Sequence, residues 1–255
     1  MNPKATNPSR KTWTPEQIEK HKQTVKLLHT IVLEAFDHIA QNKDVTEYEV
    51  QKFILGRYEH FGLVSNQPAI VAFRENTAFI HYFPKKRSKK IEPESPILID
   101  VWARFKEPNS PFADITWMGY YGKNVPKRFE DIFTIVVRSR DACARLIRKH
   151  LKSGAIITGL ESHEEAERIL AASGYTSQHG TGHSIGFRSP HGSFERLNPK
   201  GKGPLKTNLG YTIEPGIYIP GMFGARSEID FYIDETMTMH ITGTVQREIV
   251  MIESD

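Results

Sequence analysis

The chain has 255 residues, with 34 Lys or Arg and 30 Asp or Glu, so its formal net charge is +4. This length can bury a sizeable core as one large domain or two small ones, which excludes a small stapled scaffold. Cys143 is the only cysteine, which excludes an intramolecular disulfide and a thiolate cluster. Because no apolar run is long enough to span a bilayer, we expect a protein of the reducing cytoplasm, without a membrane partner.

Two helix signals open the chain. Thr14 is an N-cap candidate followed by proline at the first helical position and by a capping-box glutamine, which predicts a helix to about Gln41. Thr46 begins a second capping pattern, and the apolar stripe after it predicts a helix that ends near Gly62.

Short β-rich runs follow. Residues 69–83 predict a hairpin that turns at residues 74–76, with His81 in its second strand. Five of the six residues 85–90 are Lys or Arg. We expect a solvated loop and no nucleic-acid partner, because no aromatic side chain that could stack on bases is interleaved with these residues. Two strands that contain Asp100 and Asp114 come next.

The second half of the chain repeats this succession. Residues 127–152 place most of their apolar side chains on one face of a long helix. Ser162 begins a further capping box, and its helix should stop near Gly174. After a loop rich in Gly, Pro and Lys at residues 198–208, residues 209–253 read mostly as strands.

Helices followed by strands thus occur twice, which predicts an α+β fold of two similar halves with a mainly antiparallel sheet. No linker divides the chain. We therefore expect a polar N-terminal segment at residues 1–13 and a single domain at residues 14–255.

Residues 178–186 contain the densest group of unusual residues. Three glycines between positions 180 and 186 disfavour a helix, so His179 and His183 are expected on extended backbone. Residues four apart on a strand point to the same face, so the two imidazoles should look into one pocket.

Four acidic residues interrupt apolar extended runs: Asp100, Asp114, Glu214 and Glu228. A carboxylate in an apolar strand is costly unless it is paired, hydrogen-bonded or bound to a metal. One such residue could be satisfied by backbone amides or an arginine, but four with a histidine between the second and third indicate metal binding. Two divalent ions would neutralise the four carboxylates, and one neutral imidazole would be a further ligand.

The order of these motifs resembles that of the M24, or pita-bread, metallopeptidases, which include methionine aminopeptidase, Xaa-Pro aminopeptidase, prolidase and creatinase. The resemblance extends from about Pro15 to the C-terminus. The motifs that carry it are His81, the strand with Asp100, Asp114-Ile-Thr, His179-Gly-Thr-Gly-His183, Glu214-Pro-Gly and Gly224-Ala-Arg-Ser-Glu228.

The resemblance implies a two-metal centre in which Asp114 and Glu228 bridge the ions. Its metal ligands would be Asp100, Asp114, His183, Glu214 and Glu228. Its catalytic residues would be His81, His179, His191 and Glu214, with Glu214 accepting the proton of the attacking water. Manganese is the first candidate metal, and cobalt, iron and zinc stay open because the set is rich in oxygen and has no sulfur.

Arg226, His81 with Tyr82, and His179 are more similar to the Xaa-Pro branch than to methionine aminopeptidase. The implied activity is removal of an N-terminal residue from a peptide substrate, with Xaa-Pro as the sequence cleaved, and a homodimer is one open assembly. The chain has little room for the extra N-terminal domain common in that branch, so substrate preference stays open. The alternatives are a methionine aminopeptidase, a small-amide hydrolase like creatinase, and a binding module without activity.

Two features depart from the usual family pattern. Asp114 lies 14 positions after Asp100, which predicts an enlarged hairpin turn at residues 106–110. His191 lies one residue further from His183 than the pattern leads us to expect, and Gly192 stands where many members have an acid.

Overall fold

The computed structural model describes residues 12–253, so residues 1–11 of the expected N-terminal segment lie outside the described residues. The helices are α1 (Pro15–Gln41), α2 (Glu47–His60), α3 (Lys127–Lys152) and α4 (Gly159–Ala172), with a short 3₁₀ helix at Arg74–Ala78. The strands are β1 (Leu63–Val64), β2 (Ile70–Phe73), β3 (Ser95–Phe105), β4 (Ala113–Tyr121), β5 (Gly182–Ile185), β6 (His191–Leu197), β7 (Leu209–Ile213), β8 (Gly216–Ile219), β9 (Phe223–Arg226), β10 (Ile229–Ile233), β11 (Met239–Ile241) and β12 (Val250–Ile252).

Threonine capping boxes begin three of the described helices. Thr14 and Thr46 cap α1 and α2 as predicted, each accepting a backbone N–H three residues later. The predicted start of α4 is wrong by four residues, because Thr158 and Glu161 form its capping box. Thr158 is held on extended backbone by a bridge to Pro204, which fixes the start of the helix. Ser162 lies inside the helix and donates its hydroxyl to the carbonyl of Thr158.

The hairpin predicted at residues 69–83 is wrong in its second half. β2 pairs antiparallel with β3, so its partner comes from later in the chain. After β2 the chain forms the 3₁₀ helix and then an irregular segment that contains His81. The reason is tertiary, because the hydrogen-bonding partner of β2 is β3 and not the segment that follows the turn.

The sheets are mainly antiparallel, as predicted. One sheet has the order β1-β3-β4-β12 with β2 also on β3, and another has the order β11-β10-β7-β5-β6. β8 and β9 form a two-stranded ribbon. Among the described pairs only β12 with β4 is parallel.

The register of β3 and β4 sets the geometry that the site needs. Asp100 lies opposite Thr116, and Trp102 lies opposite Asp114. Because directly opposed residues point to one face of a sheet, both carboxylates project from the same face, two residues apart along the strands. Residues 106–112 connect the strands and form the enlarged turn that the spacing predicted.

Two clusters of buried apolar side chains lie within residues 12–253. One packs α1 and α2 against the first sheet, and the other packs α3 and α4 against the second. Cys143 is fully buried in the latter cluster, and burial raises the pKa of its thiol far above the ordinary value. Within the part of the chain that the structure describes, no helix combines the length and apolarity needed to cross a bilayer.

Candidate metal centre

The five predicted ligands come from five places in the fold. Asp100 and Asp114 project from β3 and β4, and His183 is the second residue of β5. Glu214 follows β7 directly, and Glu228 lies between β9 and β10. Donor atoms of Asp114, His183 and Glu228 all lie within 4.8 Å of one another.

β5 places His183 with its Nε2 facing the carboxylates. Its backbone N–H donates to Thr212 Oγ1 at 3.1 Å, and its Nδ1 lies 3.0 Å from the carbonyl oxygen of Ser184. A carbonyl oxygen only accepts, so Nδ1 carries the proton and Nε2 has a free lone pair. Burial lowers the pKa of His183 to about 3, so the ring is neutral at pH 7.

Nε2 of His183 lies 3.3 Å from Glu214 Oε1 and 3.7 Å from Asp114 Oδ2. An unprotonated ring nitrogen and carboxylate oxygens at these distances direct lone pairs at one another. Only a proton or a cation between them makes the arrangement favourable, and a divalent metal fits this requirement.

The two glutamates are fixed by contacts outside the centre. The backbone N–H of Glu214 donates to the carbonyl of Thr181 at 2.7 Å. Glu228 Oε2 accepts the hydroxyl of Thr116 at 2.8 Å. Among the described residues, the buried atoms Glu228 Oε1 and Asp100 Oδ1 have no hydrogen-bond partner. Buried carboxylate oxygens without a donor are costly, so these two atoms are available as ligands.

Arg226 supplies a buried positive charge beside these carboxylates. Its Nη2 donates to Asp100 Oδ2 at 2.5 Å, its Nε donates to Thr116 Oγ1 at 3.0 Å, and its Nη1 donates to Tyr218 Oη at 3.1 Å. Burial raises the pKa of Asp100, and the guanidinium counteracts this increase.

The pKa values of the other three carboxylates are also raised. Burial, and then the neighbouring carboxylates, raise the pKa of Asp114 and of Glu228 well above their usual ranges. Burial raises the pKa of Glu214 to about 7, although Arg226 lowers it. Four carboxylates against one guanidinium leave an excess of negative charge. With one neutral imidazole added, the donor set fits two divalent cations.

His179 reaches the same cavity by a different route from the one predicted. It precedes β5 and is not part of a strand. Its Nδ1 donates to the carbonyl of Gly180 at 2.8 Å, and its Nε2 accepts the Tyr218 hydroxyl at 2.8 Å. Burial lowers the pKa of His179 to about 4, so it is neutral. The chain His179, Tyr218, Arg226 and Asp100 thus links the loop to the centre.

The other two predicted histidines are exposed on the cavity wall. His191 is the first residue of β6, and its ring centroid lies 4.2 Å from that of His183 in an edge-on contact. A register shift between His183 and Ile185 accompanies the longer spacing of His191. His81 lines the same cavity from the irregular segment after β2.

The cavity beside the centre has a volume of about 450 Å³. The predicted residues His81, His179 and His191 line it together with all five ligands. Tyr218, which anchors His179, was missed by sequence reasoning, although it lies on the strand that follows Glu214. Arg196, which also lines the cavity, was missed as well. It lies opposite His183 where β5 pairs with β6, so a prediction of that strand pairing would have indicated it.

Comparison with known proteins agrees with this geometry. Residues 19–235 match the model of Metallopeptidase family M24. Aminopeptidase P1 of Lotus japonicus is 29% identical over 79% of this chain and 30% of its own length. The Xaa-Pro dipeptidase of Pyrococcus furiosus is 26% identical over 93% of this chain and 64% of its own length.

Among solved structures, the X-Pro aminopeptidase of Thermotoga maritima superposes with a TM-score of 0.82 at 26% identity. The match covers 95% of this chain and 65% of that one. The chain therefore spans from less than a third to about two thirds of the length of these relatives.

Proposed function

The chain belongs to metallopeptidase family M24, and from this premise we propose that it is a two-metal aminopeptidase that removes an N-terminal residue, with proline next in the peptide. The observation that carries the proposal is the convergence of four buried carboxylates and one correctly oriented imidazole on a single cavity. Among the described residues, one guanidinium, that of Arg226, offsets the electrostatic cost of this set in part, so a structural role alone does not account for it.

Bound by Asp100, Asp114, His183, Glu214 and Glu228, two divalent ions would polarise the scissile carbonyl and bring the pKa of a water molecule close to neutral. Manganese is our first candidate, given the excess of carboxylate oxygen over nitrogen. Glu214 is suited to accept the proton of that water. In the metal-free protein, burial raises its pKa to about 7, so this carboxylate holds a proton more strongly than an ordinary glutamate does.

The three other histidines divide into two roles. Both ring nitrogens of His179 are engaged within the protein, so it orients the Tyr218 hydroxyl and through it Arg226. The rings of His81 and His191 form no hydrogen bond among the described residues. They can therefore donate to the peptide carbonyl and to the oxyanion that develops from it.

Two observations favour proline after the N-terminal residue. The relatives that match over most of this chain include proteins named for Xaa-Pro substrates, in archaea and bacteria. Arg226 and His179 are also two of the residues that resemble the Xaa-Pro branch. They belong to one hydrogen-bonded chain that runs through Tyr218 to Asp100, so they share a structural role.

The test is hydrolysis of a peptide panel by the manganese-loaded protein. The panel holds Xaa-Pro-Yaa tripeptides, Xaa-Pro dipeptides and Met-Ala peptides, and release of the N-terminal residue is measured. We expect cleavage of the Xaa-Pro tripeptides, lost in Asp100→Asn and kept in Asp234→Asn, which changes a carboxylate outside the cavity. Cleavage confined to Met-Ala would reassign the substrate. No turnover in spite of bound metal would reject the peptidase function.

A further inference from the structure

Glu47, the first residue of α2, is a fully buried carboxylate on the side of the fold behind the cavity wall. It accepts four hydrogen bonds from one later stretch of chain. The donors are the backbone N–H of Phe73 at 2.7 Å, Asn76 Nδ2 at 2.9 Å, the Tyr82 hydroxyl at 2.7 Å and the backbone N–H of Lys89 at 3.1 Å.

These contacts are not needed to begin the helix. Glu49 completes the capping box with Thr46 from an exposed position. None of the four groups that donate to Glu47 is a cation, because Lys89 contributes its backbone and directs its ammonium group to Glu75. Burying a carboxylate without a counter-charge costs free energy. In return, the hydrogen bonds of Glu47 order the stretch of chain that donates them.

That stretch includes the irregular segment between the 3₁₀ helix and β3. Its opposite side is held from the metal centre. Gly224 donates its backbone N–H to Thr77 Oγ1 at 2.8 Å, and Arg226 Nη1 lies 3.3 Å from the carbonyl of Ile80. The segment therefore bridges Glu47 and the guanidinium that contacts Asp100.

Tyr82 does not line the cavity, although its neighbours on both sides do. Ile80, His81 and Phe83 line the cavity, whereas Tyr82 directs its hydroxyl to Glu47 and Asn76. The hydrogen bond to Glu47 thus anchors the residue that directly follows His81.

We propose that Glu47 is a positioning residue that sets His81 against the cavity by holding the hydroxyl of Tyr82. The inference rests on the proposed function, because that function gives His81 its contact with the substrate.

The first test reads His81 directly and does not need turnover. In the metal-free protein, the His81 ring resonances are assigned by their loss in His81→Ala. We expect Glu47→Gln and Tyr82→Phe both to shift or broaden these signals. Glu49→Gln, the same chemical change two residues along the same helix, should leave them in place. Unchanged His81 signals in Tyr82→Phe would overturn the proposal. If Glu47→Gln does not fold, Tyr82→Phe decides alone.

The second test is a double-mutant cycle on kcat/KM for the best peptide of the panel. Tyr82→Phe should lower kcat/KM about tenfold, the order expected from losing a hydrogen bond to a charged group. In a His81→Ala background the same change should have little effect, because the residue it positions is gone. Equal effects in both backgrounds would show that Tyr82 does not act through His81. If no peptide is cleaved, the proposed function fails while the resonance test still decides the role of Glu47.

Discussion

Divalent metal should stabilise this chain and displace protons from it. Asp114, Glu214 and Glu228 all have a raised pKa, so the folded metal-free protein holds protons that the unfolded chain would release. Metal must replace these protons before the carboxylates can act as ligands. Glu214, with a pKa of about 7, is mostly protonated at pH 6.

The size of the effect follows from mass action. One ion at a free concentration 100 times its Kd adds about 2.7 kcal/mol to the free energy of unfolding. For a domain of this size that corresponds to a rise in Tm of about 5–10 °C. At pH 6 we expect metal binding to release protons, since all four carboxylate ligands have a raised pKa, and to release fewer at pH 8, because Glu214 with a pKa of about 7 is then already ionised.

Scanning calorimetry with increasing manganese gives the shift in Tm, and titration calorimetry in two buffers of different ionisation enthalpy gives the protons released. Asp114→Asn removes an expected bridging ligand and should lose most of both effects. Asp234→Asn is the matched control, because that carboxylate pairs with His240 away from the cavity. An equal Tm shift in Asp114→Asn, or proton release that grows from pH 6 to pH 8, would refute the reasoning.

Three further predictions concern the metal-free fold. Arg226→Met leaves the buried carboxylates without their guanidinium and should lower the free energy of unfolding in urea by about 3–5 kcal/mol; a loss below about 1 kcal/mol would contradict the role given to this charge. Burial lowers the pKa of His21 from 6.5 to about 4, so below pH 6.5 the unfolded chain takes up a proton that the folded protein does not. The free energy of unfolding should therefore fall by about 3 kcal/mol as the pH drops from 6.5 to 4. His21→Gln should reduce this dependence of stability on pH. The same dependence in both proteins would exclude His21 as its source. Gly182→Ala would place a Cβ 2.1 Å from a carbonyl oxygen of β7 and should cost about 2 kcal/mol in thermal unfolding, whereas Gly56→Ala in α2 meets no atom within 4 Å and should gain up to about 1 kcal/mol.

The helices were predictable because their signals are local. Thr14 and Thr46 cap α1 and α2 with residues three positions away, and the apolar stripe of residues 127–152 matches α3 from end to end. The candidate metal ligands could be identified for the opposite reason. A carboxylate in an apolar strand, such as Asp100, conflicts with its local surroundings, and such conflicts mark functional sites.

The wall of the cavity was not predictable in the same way. The segment that holds His81 has the local pattern of a strand, but its shape is set by β3 and by Glu47, which lies 26 residues or more before the groups that it binds. Tyr218 likewise acquires its role from contacts with His179 and Arg226 that no spacing in the sequence encodes. Ser162 shows the same effect at smaller scale, since a tertiary bridge at Thr158 favours the first of two consecutive capping-box sequences.

Arg226 connects the candidate metal ligands to the segment of the cavity wall that holds His81. It contacts the ligand Asp100 on one side and the carbonyl of Ile80, in the cavity wall, on the other. The candidate ligands other than Asp100 are held by strands and by buried threonines such as Thr116. On the proposed function, changes in the wall should therefore alter the choice of substrate more than the affinity for metal. A change at Arg226 should alter both, because it is the one side chain described here that contacts both a ligand and the wall backbone.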